Sequence, residues 1–151
     1  MAQKPFEQYT VGEKFISYGR TVSEADLVNF TALAGLKLPM FIDEDYCRNH
    51  SIFGTRVMPG LFTASIAAGM LEDVLGRDTL AALELTDLKF SSPVKIGDTL
   101  HTRVVVEATR KIDDESRGLL SVGVEVVNQH DDVPCTFSVV FMMRAGNGEA
   151  R

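Results

Sequence analysis

In the first half of the chain, the spacing of apolar and polar residues predicts one short strand followed by helices. Residues 14–21 alternate loosely, which favours a strand, and the apolar positions that follow recur at helical spacing. Ser23 offers an N-cap, with Asp26 three residues later as in a capping box, and Gly35 suits the helix end. Asp43 can cap a second, short helix, so two helices are expected before residue 50.

Residues 60–75 form the longest apolar segment and are hydrophobic on nearly every side of a helix. Such a helix belongs inside a protein. Its length would be about 22 Å, enough to cross a small sheet. Four small residues would let other backbones approach it closely: Ala64, Ala67, Ala68 and Gly69.

Everything after residue 80 is predicted to be strand, in the segments 83–90, 100–108, 120–126 and 135–141. The second of these segments has period two, which places alternate residues on one face. That face carries Leu100, Thr102, Val104, Val106 and Ala108. Helices followed by antiparallel strands predict an α+β fold, with the long helix wrapped by the sheet.

Composition predicts one soluble domain over residues 1–151, with a disordered tail from about residue 145. The net charge of −6, without a basic cluster, argues against nucleic acid or a membrane as partner. The N-terminus lacks a signal-peptide core, so a cytoplasmic location is expected. Cys47 and Cys135 are isolated and the three histidines are scattered, so we expect buried thiols and neither a metal nor a cofactor.

An apolar loop at residues 35–43 and the segment 53–61 carry a resemblance to a known family. The segments 9–13, 93–99 and 126–129 extend it over nearly the whole chain. In order and spacing these pieces resemble the MaoC-like dehydratases, the R-specific enoyl-CoA hydratase branch of the hot-dog fold. The resemblance implies that fold and an acyl-CoA ligand.

The family's active-site motif is Asp-x-Asn-Pro-(Ile/Leu)-His, followed by x-Asp. Aligned on Pro39 and Asp43, this chain has Leu36 at the catalytic Asp, Leu38 at the Asn and Phe41 at the catalytic His. Neither Leu nor Phe can transfer a proton. The resemblance therefore implies a hydratase scaffold without its acid–base pair.

The family adds water reversibly across an α,β-unsaturated acyl thioester. Its Asp and His move protons, and a backbone N–H of the Gly that starts the central helix stabilises the developing oxyanion. Gly60 matches that Gly and Ser65 matches a polar residue further along the helix, while Pro59 replaces a usual His. Pro59 and Gly60 would also start a helix that binds no ligand.

Charged residues near the matched segments are candidates for two roles. Asp43 is the best substitute for the missing catalytic groups, although it also suits the cap of the short helix. By resemblance, Lys89 and Lys95 lie near the CoA phosphates, and Arg56 is a further candidate for a phosphate contact. All three cations also fit a solvated surface.

Three hypotheses follow. The first is an acyl-thioester-binding pseudoenzyme, a homodimer or a subunit paired with a catalytic MaoC-like chain. The second is an active hydratase or thioesterase with a relocated carboxylate such as Asp43. Glu72 and Asp73 are poor candidates for that carboxylate, because they lie about 18 Å from Gly60 along the helix. The third is a binding protein for another apolar ligand, or a protein interface, formed by the loop.

Overall fold

The computed structural model describes residues 4–76, 78–112 and 116–146, and six strands within them form one antiparallel sheet. The strands are β1 (Lys14–Ile16), β2 (Arg20–Thr21), β3 (Thr79–Phe90), β4 (Thr99–Lys111), β5 (Arg117–Val127) and β6 (Cys135–Arg144). Their order across the sheet is β1-β4-β5-β6-β3. β2 also pairs with β4, at the residues that precede those paired with β1. The predicted first strand is thus two short strands, and β3 lies at the opposite edge.

The described helices begin and end close to the positions that the sequence predicts. They are a 3-10 helix (Phe6–Gln8), α1 (Glu24–Ala34), α2 (Pro39–Ile42), α3 (Glu44–His50) and α4 (Gly60–Leu75). The capping box at Ser23 and Asp26 is confirmed, because each side chain accepts the other residue's backbone N–H. The bounds of α4 are also as predicted, whereas α2 and the 3-10 helix were not predicted.

The core lies between α4 and one face of strands β3 to β6. On β4 the predicted alternation holds from Leu100 to Val106, where every second residue is buried. A bulge between Val106 and Ala108 then shifts the register, so the prediction that Ala108 belongs to the same face is wrong.

One face of α4 has no cover within the described chain, which corrects the prediction that the helix is buried all round. Most of its apolar side chains are buried, including Phe62, Met70 and Leu71. The exposed residues recur every three or four positions and therefore share one face of the helix. They are Leu61, Ser65, Ala68, Gly69, Glu72 and Asp73.

The chain remains hydrogen-bonded past the point where a tail was expected. Ala145 is buried and its N–H donates to the Ser116 carbonyl at 2.7 Å, and the Gly146 N–H donates to the Glu7 carboxylate at 2.6 Å. The rest of the predicted tail, residues 147–151, lies outside the described residues. Cys47 and Cys135 are free and buried, as predicted. In the described ranges no helix is long and apolar enough to cross a membrane.

Candidate functional site

The apolar loop after α1 is a compact helical connection. Gly35 ends α1 in the left-handed conformation at φ 67°, and the Leu36 N–H then donates to the Thr31 carbonyl at 2.9 Å. α2 starts at Pro39, and the fixed φ of proline suits a first helical position. The Val57 N–H donates to the Met40 carbonyl at 3.2 Å, which holds α2 beside the segment that leads into α4.

Leu36 and Phe41, which the resemblance aligns with the family's acid and base, line one cavity of about 340 Å³ between α1 and α2. Phe41 is buried, and Leu36 packs against the same core. Gly60 is not among the described lining residues of this cavity, so the two side chains and the start of α4 do not share it.

Arg56 lies at the rim of this cavity with its guanidinium bound to two carboxylates. Nη1 and Nη2 each donate to one Glu24 oxygen at 2.8 Å, and Nε donates to Glu44 at 3.2 Å. The Arg56 backbone N–H and guanidinium together hold the pKa of Glu44 below its usual range. Arg56 therefore clamps α1 and α3 to the segment before α4.

Asp43, the predicted substitute catalyst, caps α3. Its Oδ1 accepts the Tyr46 N–H at 2.8 Å, the N-cap arrangement that the sequence indicates. The side chain is exposed and is not among the described lining of the cavity. No other carboxylate or imidazole belongs to the described lining either.

The start of α4 presents backbone donors. Pro59 is the N-cap, and the N–H groups of Gly60 and Leu61 have no hydrogen-bond partner among the described residues. The positive end of the helix favours negative charge at this point. Ser65, one turn further on, already donates its hydroxyl to the Leu61 carbonyl at 2.8 Å, so its oxygen remains available only as an acceptor.

Phe90, which sequence reasoning did not select, covers Gly60. A Cβ built on Gly60 would lie 2.9 Å from Cγ, Cδ1 and Cδ2 of the Phe90 ring. These equal distances place the ring face against the glycine Cα, so Gly60 has a packing reason to lack a side chain. The sequence showed only a glycine at a helix start and did not indicate which side chain packs against it.

The structure places the two predicted phosphate-binding lysines in different surroundings. Lys89 lies opposite Thr136 in the β3–β6 ladder, on the face away from α4, and lines an outer groove of about 500 Å³. Lys95 forms an isolated bridge with Val57, near the start of α4. The outer groove also holds carboxylates, among them Glu107 and Glu125, so it is not a purely cationic site.

β3 is an edge strand whose only partner in the described sheet is β6. It runs for 12 residues and carries large apolar side chains that are about half exposed. These are Leu80, Leu83, Leu85 and Phe90. A long apolar edge beside the uncovered face of α4 is typical of a surface that pairs with another chain.

A long helix packed on an antiparallel sheet of this order defines the hot-dog class. A double hot-dog protein from Mycobacterium tuberculosis superposes with a TM-score of 0.86 at 22% identity, over 99% of this chain and 46% of that one. A monoamine oxidase regulatory protein from Archaeoglobus superposes with a TM-score of 0.85 at 29% identity, over 95% of this chain and 96% of that one.

The sequence narrows this class to one family. The MaoC-like domain model matches residues 6–128, so the chain belongs to the MaoC-like family. It is 32% identical over 126 residues to the 3-hydroxybutyryl-CoA dehydratase of Methylorubrum extorquens, covering 81% of this chain and 77% of that enzyme. Protein MaoC of Klebsiella aerogenes is 38% identical over 102 residues, which cover 68% of this chain but only 30% of that protein.

Proposed function

We propose that this chain binds an acyl-CoA thioester at the start of α4 and does not hydrate it by the family's acid–base route. The loss of hydration rests on the cavity lined by Leu36 and Phe41, whose described lining contains neither a carboxylate nor an imidazole. Binding at the start of α4 is supported separately, by the N–H groups of Gly60 and Leu61 that have no partner among the described residues. Membership of a family that includes a 3-hydroxybutyryl-CoA dehydratase supports the ligand class.

The loss of proton transfer follows from the side chains at the two positions. Hydration needs one group to activate water and one to protonate the α-carbon. General acid–base catalysis contributes about 10²–10⁴-fold, and neither Leu36 nor Phe41 has a titratable atom. Asp43 offers no ready substitute, because its carboxylate accepts a backbone N–H of α3.

The electrostatic part of the site remains. The free N–H groups of Gly60 and Leu61 provide donors for a thioester oxygen, and the helix dipole supplements them. Of the cations, Lys95 is the phosphate contact that this site favours, because it bridges to Val57 near the start of α4. Lys89 and Arg56 stay predictions, since Lys89 lies in the outer groove and Arg56 is already bound to two carboxylates.

A second chain completes the site in this proposal. Ala68 and Glu72 on the uncovered face of α4 line one groove with Leu80 of β3, and both elements present apolar groups to solvent. A homodimer would cover them; so would a heteromer in which a MaoC-like partner with an intact Asp and His supplies the missing chemistry. Light scattering at a monomer mass across micromolar concentrations, alone and with such a partner, would contradict this part.

The role of the Gly60 N–H can be tested with a matched pair of variants. Gly60→Ala and Gly60→Pro both place a Cβ against Phe90, but only proline removes the N–H. Pro59 has ψ 137°, which tolerates a following proline, and proline suits a first helical position. Crotonyl-CoA binding would be measured by isothermal titration calorimetry.

We expect the wild-type chain to bind crotonyl-CoA. The proline variant should bind about 2- to 10-fold more weakly than the alanine variant, the value of one hydrogen bond. Equal affinities of the two variants would show that the Gly60 N–H takes no part in binding the thioester. Absence of binding by the folded wild-type chain, alone and with a partner subunit, would overturn the proposed function.

A further inference from the structure

The cavity between α1 and α2 has a buried apolar floor and an open apolar rim. Leu27 and Phe41, which are buried, form the floor, and Leu36 is half-buried beside them. Val28 and Ile42 line the same cavity but are about half exposed. Exposed apolar side chains around a concave surface are typical of binding sites. The volume of about 340 Å³ lies within the range of small-molecule sites.

Helix α1 leaves this space open because its residues on the cavity side become smaller toward its end. Leu27, Thr31 and Gly35 are spaced by four and therefore share one face of the helix, and all three line the cavity. The Thr31 hydroxyl is already bound, since it donates to the Leu27 carbonyl at 2.7 Å. A Cβ built on Gly35 would meet no atom within 4 Å, so the cavity stays open at that end.

Lys37 is the one cation of the described lining that is not already paired. The lining holds two cations, Lys37 and Arg56, and no carboxylate. Arg56 is bound to Glu24 and Glu44, whereas the Lys37 ammonium has no partner among the described residues. An unpaired ammonium beside an apolar cavity matches a carboxylate that ends a hydrocarbon chain, because charge-assisted hydrogen bonds are the stronger ones.

We propose that this cavity binds a monocarboxylate with an alkyl tail, at a site separate from the start of α4. The tail lies against Leu27, Leu36 and Phe41, and the carboxylate accepts hydrogen bonds from the Lys37 ammonium. Burial of the tail supplies most of the affinity, and the lysine selects for negative charge. Gly60 does not line this cavity, so the site is independent of thioester binding at α4.

Isothermal titration calorimetry with octanoate tests the cavity with a matched pair of variants. Ala32 lines the cavity and Ala34 does not, although both are exposed on α1. Ala32→Phe should fill the cavity and weaken octanoate binding by at least about 10-fold, because several methylene groups lose their burial. Ala34→Phe adds the same ring to the same helix and should bind like the wild type. Circular dichroism would verify that each variant is folded.

Octan-1-ol and Lys37→Met separate the role of charge from that of the apolar walls. The alcohol has the same chain length as octanoate and no charge. Lys37→Met should weaken octanoate by about 2- to 5-fold, the value of a partly exposed ion pair, and leave octan-1-ol unchanged. The control is Lys14→Met, because Lys14 is exposed outside this cavity and its loss should change neither ligand.

Three results would overturn the proposal. The first is the absence of octanoate binding by the folded wild-type chain. The second is an equal effect of Ala32→Phe and Ala34→Phe, or an equal effect of Lys37→Met on octanoate and octan-1-ol. The third is displacement of octanoate by saturating crotonyl-CoA, which would make the two sites one. Octanoate binding by a chain that binds no crotonyl-CoA would overturn only the proposed function.

The wild-type chain alone decides the case if a variant does not fold. Butyrate, hexanoate and octanoate add methylene groups to the same carboxylate. Affinity should rise by about 3- to 4-fold for each methylene that the cavity buries. Equal affinities across the series would show that the tail is not buried and would overturn the proposal.

Discussion

The packing of Phe90 on Gly60 predicts that these two residues are energetically coupled. Replacing Gly60 by Ala should help the helix, because alanine is favoured over glycine in helices by at most about 1 kcal/mol. The same change places a Cβ 2.9 Å from the Phe90 ring, closer than the 3.5–4.0 Å at which carbon atoms attract best. The ring must therefore withdraw by roughly 0.5–1 Å.

Forcing an extra methyl group into a packed contact costs about 1–3 kcal/mol. The lower end applies here, because Phe90 is half exposed and can swing outward. We expect Gly60→Ala to lower the free energy of unfolding by up to about 1 kcal/mol in the wild-type background. In a Phe90→Ala background the clash is absent, and the same change should raise stability by about 0.5 kcal/mol.

A double-mutant cycle measures this coupling directly. Urea unfolding of the four chains would be followed by far-UV circular dichroism, since the sequence contains no tryptophan for fluorescence. The change of sign corresponds to an interaction energy of about 1–1.5 kcal/mol. Additivity of the two substitutions within about 0.3 kcal/mol would show that the ring does not lie on Gly60.

Three further predictions concern the neighbouring structure. Arg56→Met should lower the free energy of unfolding by about 1–2 kcal/mol in urea, because the partly exposed clamp to Glu24 is lost; an unchanged midpoint would contradict it. Asp43→Ala should lower it by about 1 kcal/mol while Asp43→Asn, which keeps a capping side chain, stays near wild type; equal losses would argue against the cap. Burial raises the pKa of the Cys135 thiol to about 11, so maleimide at pH 8 should modify it only after unfolding, and rapid labelling of native protein would refute this.

The fold was largely predictable because its signals are local. The all-apolar segment gave the bounds of α4, and Ser23 with Asp26 gave the start of α1, since a capping box needs only neighbouring residues. The bulge after Val106 was not predictable, because a single inserted residue leaves the alternating pattern intact until the partner strand is known.

The site was predictable only where a family motif covers it. Alignment on Pro39 and Asp43 identified Leu36 and Phe41, and the structure brings both to one cavity. Phe90 was missed because its contact with Gly60 joins positions 30 residues apart in the chain. The uncovered face of α4 was missed because an apolar pattern shows which residues should be buried, but not whether the rest of the same chain reaches far enough to bury them.

The proposed absence of the acid–base pair is tested most directly by following the enoyl absorbance of crotonyl-CoA with the purified chain. If Leu36 and Phe41 occupy the acid and base positions, hydration should be undetectable, or at least ~10³-fold slower than that of a relative with an intact Asp and His. Robust turnover by the native chain alone would contradict the account, because neither Leu36 nor Phe41 can transfer a proton.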